Sequence, residues 1–210
     1  MEQSDANINI VDTMSGGTPL GWAARNGHEG VVRALLERSD VDTDRVDEHG
    51  LRPLCAAAHN GHAGVVRLLV ERSNANINTA DNMTDQTPLS WAAMKGHEEV
   101  VRILLEQNGI NPNIVDSRGR TPLSWAAENG HEGVVRILLE RNDINLDTFD
   151  QFRQTPASWA TLNGHDTIAK LLRDRADSAL RDAAGLRPTR SRSPEPSDPS
   201  EHPSKKIRTV

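Results

Sequence analysis

The chain has 210 residues, a formal net charge of −6, and only four Trp, two Phe and no Tyr. So few aromatics exclude one thick globular core at this length, because aromatic side chains normally carry much of the buried area. Dense clusters of Val, Ile, Leu and Ala exclude a wholly disordered chain, and a thin aliphatic core of stacked helical repeats satisfies both facts.

Cys55 is the single cysteine. It excludes an internal disulfide and a Cys-based zinc site, and it suits a reducing compartment. Met1-Glu2-Gln3-Ser4-Asp5 has neither the basic start nor the apolar stretch of a signal peptide. Apolar runs such as Ile103-Leu104-Leu105 are too short to cross a bilayer. A soluble cytoplasmic protein with no membrane contact is the expectation. Residues 185–210 hold six Lys or Arg against three Asp or Glu, a net +3, so residues 1–184 carry −9. An acidic body argues against direct nucleic-acid binding by it.

A period of about 34 residues dominates the chain. A dipeptide recurs as Thr18-Pro19, Arg52-Pro53, Thr87-Pro88, Thr121-Pro122 and Thr155-Pro156, in steps of 34, 35, 34 and 34. A Gly-His pair follows each, at Gly27-His28, Gly61-His62, Gly96-His97, Gly130-His131 and Gly164-His165. Thr suits an N-cap, and Pro at the next position is preset for a helix start. The spacing predicts a short first helix, for example Pro122 to Asn129, ended by a left-handed Gly130. A second helix then starts near Glu132, where an acid favours the positive helix end. Its apolar residues, Val134-Val135-Arg136-Ile137-Leu138-Leu139, form one buried stripe. The polar stretch that follows, such as Asn113 to Arg120, suits a β-hairpin finger.

In chain order, residues 1–17 form an N-terminal segment and first finger. Asn7-Ile8-Asn9-Ile10-Val11-Asp12 matches a finger with no helix pair before it, so the chain is either a designed start or a fragment of a longer array. Five repeats fill residues 18–176, starting near 18, 52, 87, 121 and 155. Repeat two is expected to open first. Arg52 replaces the capping Thr, and Ala56 stands where the others carry Trp22, Trp91, Trp125 and Trp159. In repeat five, Arg173 takes the place of Leu36, Val70, Leu105 and Leu139, so the stacking face turns polar, as a terminal cap requires. Residues 177–184 extend the last helix in this reading. Residues 185–210, rich in Pro and Ser, are expected to be disordered.

These motifs resemble the ankyrin repeat family. Its T-P-L-H-x-A-A corresponds to Thr121-Pro122-Leu123-Ser124-Trp125-Ala126-Ala127, and its G-H-x-x-V-V-x-x-L-L to Gly130 through Leu139. Its finger V-N corresponds to Ile8-Asn9, Ile77-Asn78 and Ile144-Asn145. The resemblance spans about residues 6–176, and its Ser-Trp-Ala-Ala variant is similar to arrays of filamentous fungi. It implies an all-α repeat solenoid of five stacked ankyrin repeats, each a helix-turn-helix with a β-hairpin finger, followed by a disordered C-terminal tail. One departure is the family His of T-P-L-H, which is Gly21, Cys55, Ser90, Ser124 and Ser158 here. That imidazole ties neighbouring repeats together in the family; Ser is expected to do part of this work, and Gly21 none of it.

No residues converge on chemistry, so the chain is not expected to be an enzyme or to hold a cofactor or metal. Repeats stack roughly 10 Å apart, too far for successive histidines to share a zinc ion. His28-Glu29 and His131-Glu132 begin like a zinc-protease motif but lack the second His. No nucleophile elbow, phosphate loop or dinucleotide fingerprint is present. Cys55 and the four Trp are read as packing residues, with Trp as binding anchors the alternative, and the many acids as a solvated face.

The resemblance implies a concave groove lined by fingertips and first-helix residues. Carried over by motif, the candidate partner-binding residues are Arg25, Glu48, His49, His59, Met83, Met94, Lys95, Arg118, Glu128, Phe152 and Leu162. Phe152 with Leu162 is the expected apolar anchor, and Phe149 is expected to be buried within its finger. The Asn before four of the five Gly-His pairs, Lys95 standing in the third, has a local reading as a helix end. Ser193-Pro194 has the form of a phosphorylation site, and Lys205-Lys206-Ile207-Arg208 that of a nuclear import signal. The expected function is a monomeric, non-catalytic scaffold for an unidentified protein partner. The alternatives are a nuclear regulator that binds a transcription or chromatin factor, and a fragment of a larger ankyrin-containing signalling receptor.

Overall fold

In the computed structural model, residues 7–13, 16–72 and 76–183 are described. They hold five helix pairs: α1 (Pro19–Arg25) with α2 (Glu29–Leu36), α3 (Pro53–His59) with α4 (Ala63–Arg72), α5 (Pro88–Lys95) with α6 (Glu98–Leu105), α7 (Pro122–Glu128) with α8 (Glu132–Leu139), and α9 (Pro156–Leu162) with α10 (Asp166–Ala183). Each first helix packs on the next first helix, and each second helix on the next second helix, giving two parallel rows. The expectation for the C-terminal tail, with Ser193 and residues 204–210, lies outside the described residues.

Local chemistry explains each pair. Thr18, Thr87, Thr121 and Thr155 cap the first helices, their hydroxyls accepting from backbone N–H groups three residues on at 3.1–3.2 Å. Arg52 makes no such bond. Its guanidinium reaches instead to the carbonyls of Asp44 at 2.6 Å and Ala80 at 3.4 Å. The Asn that precedes four of the five Gly-His pairs is local. Asn26, Asn60, Asn129 and Asn163 donate side-chain N–H groups to the carbonyls of Trp22, Ala56, Trp125 and Trp159.

The core between the rows is thin and aliphatic. Ala24, Val32, Ala57, Val66, Leu69, Ala92, Val101, Leu104, Ala126, Val135, Leu138 and Ala169 are fully buried. Arg173 is exposed, and its guanidinium donates to Thr161 Oγ1 at 3.4 Å.

The fingers differ from the expected strand pairs: no strand occurs among the described residues. Each finger is a tight turn closed by one backbone bond, from Asp47 to Leu51 (3.1 Å), Asp81 to Gln86 (2.9 Å), Asp116 to Arg120 (3.0 Å) and Asp150 to Gln154 (3.1 Å). One further backbone bond joins each of the last three tips to the one before it: Asn82 to Gly50, Ser117 to Thr84 and Gln151 to Arg118. The aspartate side chain takes the amides that a strand partner would take. Asp116 Oδ1 accepts from the N–H groups of Arg118 and Arg120, both at 2.9 Å. The expectation of a solvated acidic face is therefore corrected for Asp81, Asp116 and Asp150, which are buried.

Two positions build the joints between repeats. The imidazoles of His62, His97, His131 and His165 donate from Nε2 to the carbonyls of Arg25, His59, Met94 and Glu128, at 2.9–3.1 Å. Each ring also lies against the glycine of the preceding Gly-His. A Cβ on Gly96, whose φ is +78°, would meet His131 Nδ1 at 2.7 Å. Gly is thus required twice there, for its left-handed backbone and for the ring beside it. The serines do not perform the tie expected of them. Ser90, Ser124 and Ser158 bond the capping Thr of their own repeat, at 3.0–3.1 Å.

The second joint is an asparagine clamp. Asn9, Asn78 and Asn113 each donate to a carbonyl of the next repeat, at Asp40, Gly109 and Asp143. Each also accepts a backbone N–H from there, from Asp42, Asn111 and Asn145. Asn145 is therefore the receiver of a clamp and not a counterpart of Asn9 and Asn78, a correction of register. Asp44, three residues before Asp47, stands at the clamp position of finger two. A carboxylate there has no N–H to donate.

Candidate partner-binding groove

The residues whose carbonyls anchor the joints also supply a row of side chains: Arg25, His59, Met94, Glu128 and, by position, Leu162. The backbone is the same at each step, while the side chains are basic, aromatic, thioether, acidic and aliphatic. Lys95 is exposed beside Met94. His59 is half-buried and held below its ordinary pKa by burial, then by the nearby Lys95 charge. Its ring meets Trp91 edge-on, with centroids 4.8 Å apart.

The fingertips carry the second row. Glu48 and His49 are exposed and adjacent, 3.6 Å apart. Met83 and Arg118 are exposed. Phe152 is 54% exposed, and its ring stands edge-on to Trp159 at 6.2 Å. Leu162 is 65% exposed and lines a largely apolar cleft of about 420 Å³ with Gln154, Ala157, Ser158, Thr161 and Arg173. Phe152 does not line that cleft; Gln154 connects them, donating to the Phe152 carbonyl at 3.3 Å. Phe149, expected to be buried, is 66% exposed. A finger made of a turn and not a strand pair has no interior to hold it.

The tryptophans behave as a graded set. Indole N–H groups of Trp91, Trp125 and Trp159 donate to Oδ2 of Asp81, Asp116 and Asp150 at 3.1, 2.9 and 2.8 Å. Trp125 is buried, Trp91 and Trp159 are half-buried, and Trp22 is exposed at 43%. These aspartates were legible in principle, because each stands nine or ten residues before its Trp.

Arg120 belongs to no motif of the sequence, yet it lies at the centre of the apolar end of the groove. Its side chain is almost wholly buried, with Cζ 4.5 Å from the Trp125 centroid, 4.3 Å from Trp159 and 5.8 Å from Phe152. Nε donates to Asp150 Oδ2 at 3.3 Å, and Nη1 meets Glu128 Oε2 in a short ion pair. Guanidinium faces stack well on indoles, and the two carboxylates satisfy the charge. Glu128 is thereby committed to Arg120 and less available to a partner. Burial pushes the Asp150 carboxyl up. The Gln154 amide, the Trp159 indole, the Phe152 amide and Arg120 outweigh this and hold it below the usual carboxylate range.

Cys55 is buried, and burial first, then the Asp81 charge, pushes its thiol up to about 12. A thiol held protonated is a poor nucleophile, so its role is packing against Leu51, Ala56 and Trp91.

The helix pairs, the Gly-His joints and the finger turns together form one repeated unit, and a family profile described as ankyrin repeats (3 copies) matches residues 2–81, 39–116, 73–150 and 108–182. The chain belongs to the ankyrin repeat family. A search of curated proteins returned no match. Ankyrin repeats are in general protein–protein interaction modules and non-catalytic scaffolds. Among the described residues, no helix is long and apolar enough to cross a membrane.

Proposed function

We propose that this ankyrin chain is a non-catalytic interaction module that recognises one protein partner through the concave face formed by its fingertips and first helices. The observation that carries this reading is the row Arg25, His59, Met94, Glu128 and Leu162. Four of these carbonyls are fixed by histidine rings of the next repeat, so a rigid backbone presents five unlike side chains. Preorganisation of this kind lowers the entropic cost of binding. Phe152, Trp159 and Leu162 supply the apolar end of the surface, and Arg25 and Lys95, with the His59 ring between them, the basic end. Glu48, His49, Met83 and Arg118 add fingertip contacts.

Crosslinking pull-down from the native organism, followed by mass spectrometry, tests the reading. A partner retained by the native chain and lost with Phe152→Ala or Leu162→Asp supports it. A partner unaffected by substitutions along both rows overturns it. A second reading, a cytoplasmic protein that enters the nucleus to bind a transcription or chromatin factor, is favoured only by Lys205-Lys206-Ile207-Arg208. Tagged chains with and without residues 204–210 decide it: equal nuclear exclusion of both removes that reading.

A further inference from the structure

The slot between repeats four and five shows how this frame holds a guanidinium. Arg120, one residue before its capping Thr, lies between the indole of its own repeat and that of the next, on the carboxylate of Asp150. The slot between repeats one and two has the same plan with two side chains taken away. Gly17 stands at the position of Arg120, and Ala56 at that of Trp159. What remains is one indole wall, Trp22, and the carboxylate of Asp47, which matches Asp150, with Arg25 across them closing the space to about 10 Å³.

Both remaining groups are under-used. Trp22 is the most exposed of the four tryptophans, and among the described residues no acceptor meets its indole N–H. Asp47 Oδ1 serves the amides of His49 and Leu51, both at 2.9 Å. Its Oδ2 is met by Arg25 Nη1 at 3.5 Å, beyond the usual span of an N–H···O bond. The Asp47 side chain is only 13% exposed, while that of Arg25 is 33% exposed. The second oxygen of a mostly buried carboxylate is therefore held by one long, partly solvated contact.

We propose that this slot receives an arginine side chain carried by an extended segment of the protein partner. This rests on the reading of the groove as the partner face. A planar guanidinium stacks on the Trp22 indole and donates to Asp47, as Arg120 does on Trp125 and Asp150. A lysine ammonium has no face to stack and is more strongly hydrated. Arg25 is the resident plug: it turns into solvent when the incoming guanidinium takes Asp47. The Trp22 N–H then donates to a backbone carbonyl of the bound segment.

The test follows the four indole N–H signals of the full ¹⁵N-labelled chain, with Trp22 assigned through Trp22→Phe. Acetyl-Gly-Arg-Gly-amide is titrated at constant ionic strength, beside the Lys and Glu versions. The Arg peptide moves the Trp22 signal, the Lys peptide binds at least threefold more weakly, and the Glu peptide does not bind. Arg25→Ala tightens the Arg peptide at least threefold. Asp47→Asn, which keeps Oδ1 for the finger amides, weakens it at least tenfold, and Ala56→Trp abolishes it by refilling the slot. The Trp91, Trp125 and Trp159 signals report that each variant is folded. A Trp22 signal that stays still in both the native chain and Arg25→Ala overturns the proposal. So does a shift that survives Asp47→Asn, or one larger with the Glu peptide. If the slot fails while a partner still depends on Phe152 and Leu162, the arginine site alone is lost and the groove stands.

Discussion

Repeats four and two are built on one frame and stabilised in opposite ways. Repeat four satisfies every local rule. Thr121 and Ser124 form a reciprocal capping box, Trp125 ties its indole to Asp116, and Asn113 of the finger that leads into it clamps Asp143 and Asn145 beyond α8. Repeat two meets none of these: Arg52 leaves the helix start without a side-chain cap, Ala56 has no indole to give Asp47, and Asp44 cannot act as the clamp. Yet Pro53 through Ala58 are all buried, and Trp91 of the next repeat packs beside Ala56. A repeat can thus lose its own bonds and persist because its neighbours cover it. That is what near-neighbour stabilisation in a stacked array means.

The sharpest way to break the contrast is to remove the best part of repeat four. Arg120→Ala leaves Asp150 and Glu128 without their shared cation and opens space between two indoles. The expected loss is about 3–5 kcal/mol, the range for breaking a buried ion pair, read as a lower urea midpoint. The corresponding change in repeat two, Leu51→Ala, removes a smaller apolar contact and should cost less than half as much. An equal loss in both would mean that Arg120 contributes only packing.

The joints rank next. Gly96→Ala forces a left-handed backbone at roughly 1–2 kcal/mol and displaces a histidine hydrogen bond of about 1 kcal/mol. Gly164 has a similar φ of +76°, but a Cβ there meets nothing within 4 Å. Gly164→Ala should therefore show only the backbone part. Equal urea midpoints for the two variants would show that the ring contact over Gly96 adds nothing.

Much of this frame was legible in sequence, and the reasons are local. Helix starts, glycine stops and the apolar stripe depend on residues within one repeat, so spacing alone reveals them. The polar joints were not legible, because each is a bond between repeats. Nothing near Arg120 marks it as buried; its second indole belongs to the next repeat. The serines were misread for the same reason, since their hydroxyls find the capping Thr before any neighbour. Phe149 and Phe152 look like finger core and fingertip in a pattern, but a turn without strands exposes both.

The Asp150 carboxyl makes the contrast depend on pH. Its folded pKa lies below the ordinary 3.8. Its contribution is therefore complete above the unfolded pKa and is lost as pH falls through the folded one. Stability of the native chain should decline on acidification from about pH 4 downward, and more steeply than that of Asp150→Asn. Parallel pH curves for the two would remove Asp150 as the source.

Caps give a smaller effect. Thr121→Ala should cost about 1 kcal/mol, the usual size of a lost N-cap. Arg52→Thr should recover less than that, because the guanidinium bonds to Asp44 and Ala80 are lost in the same change. Amide exchange is the local readout: residues 52–72 should exchange faster than residues 121–141, and Arg52→Thr should narrow the gap. Protection that is equal in the two segments of the native chain would show that neighbour coverage fully offsets the missing bonds.

The smallest expected effect concerns the fingertip beside Phe152. The turn needs a left-handed residue, and Gly50 and Gly119 supply it in fingers two and four, with φ of +68° and +77°. The finger that carries Phe152 has Arg153 there instead, at φ +58°. A non-glycine side chain in that region costs roughly 1–2 kcal/mol, partly offset because glycine loses more chain entropy on folding. Arg153→Gly should therefore raise stability by about 0.5–1 kcal/mol. The gain would come from relieved backbone strain alone, because the Phe152 and Gln154 amides keep their bonds to Asp150 Oδ1. If strain at this tip serves to hold Phe152 outward, the same variant should bind the partner more weakly while being more stable. Strain that serves no function would leave binding unchanged, and measuring both on one variant separates the two outcomes.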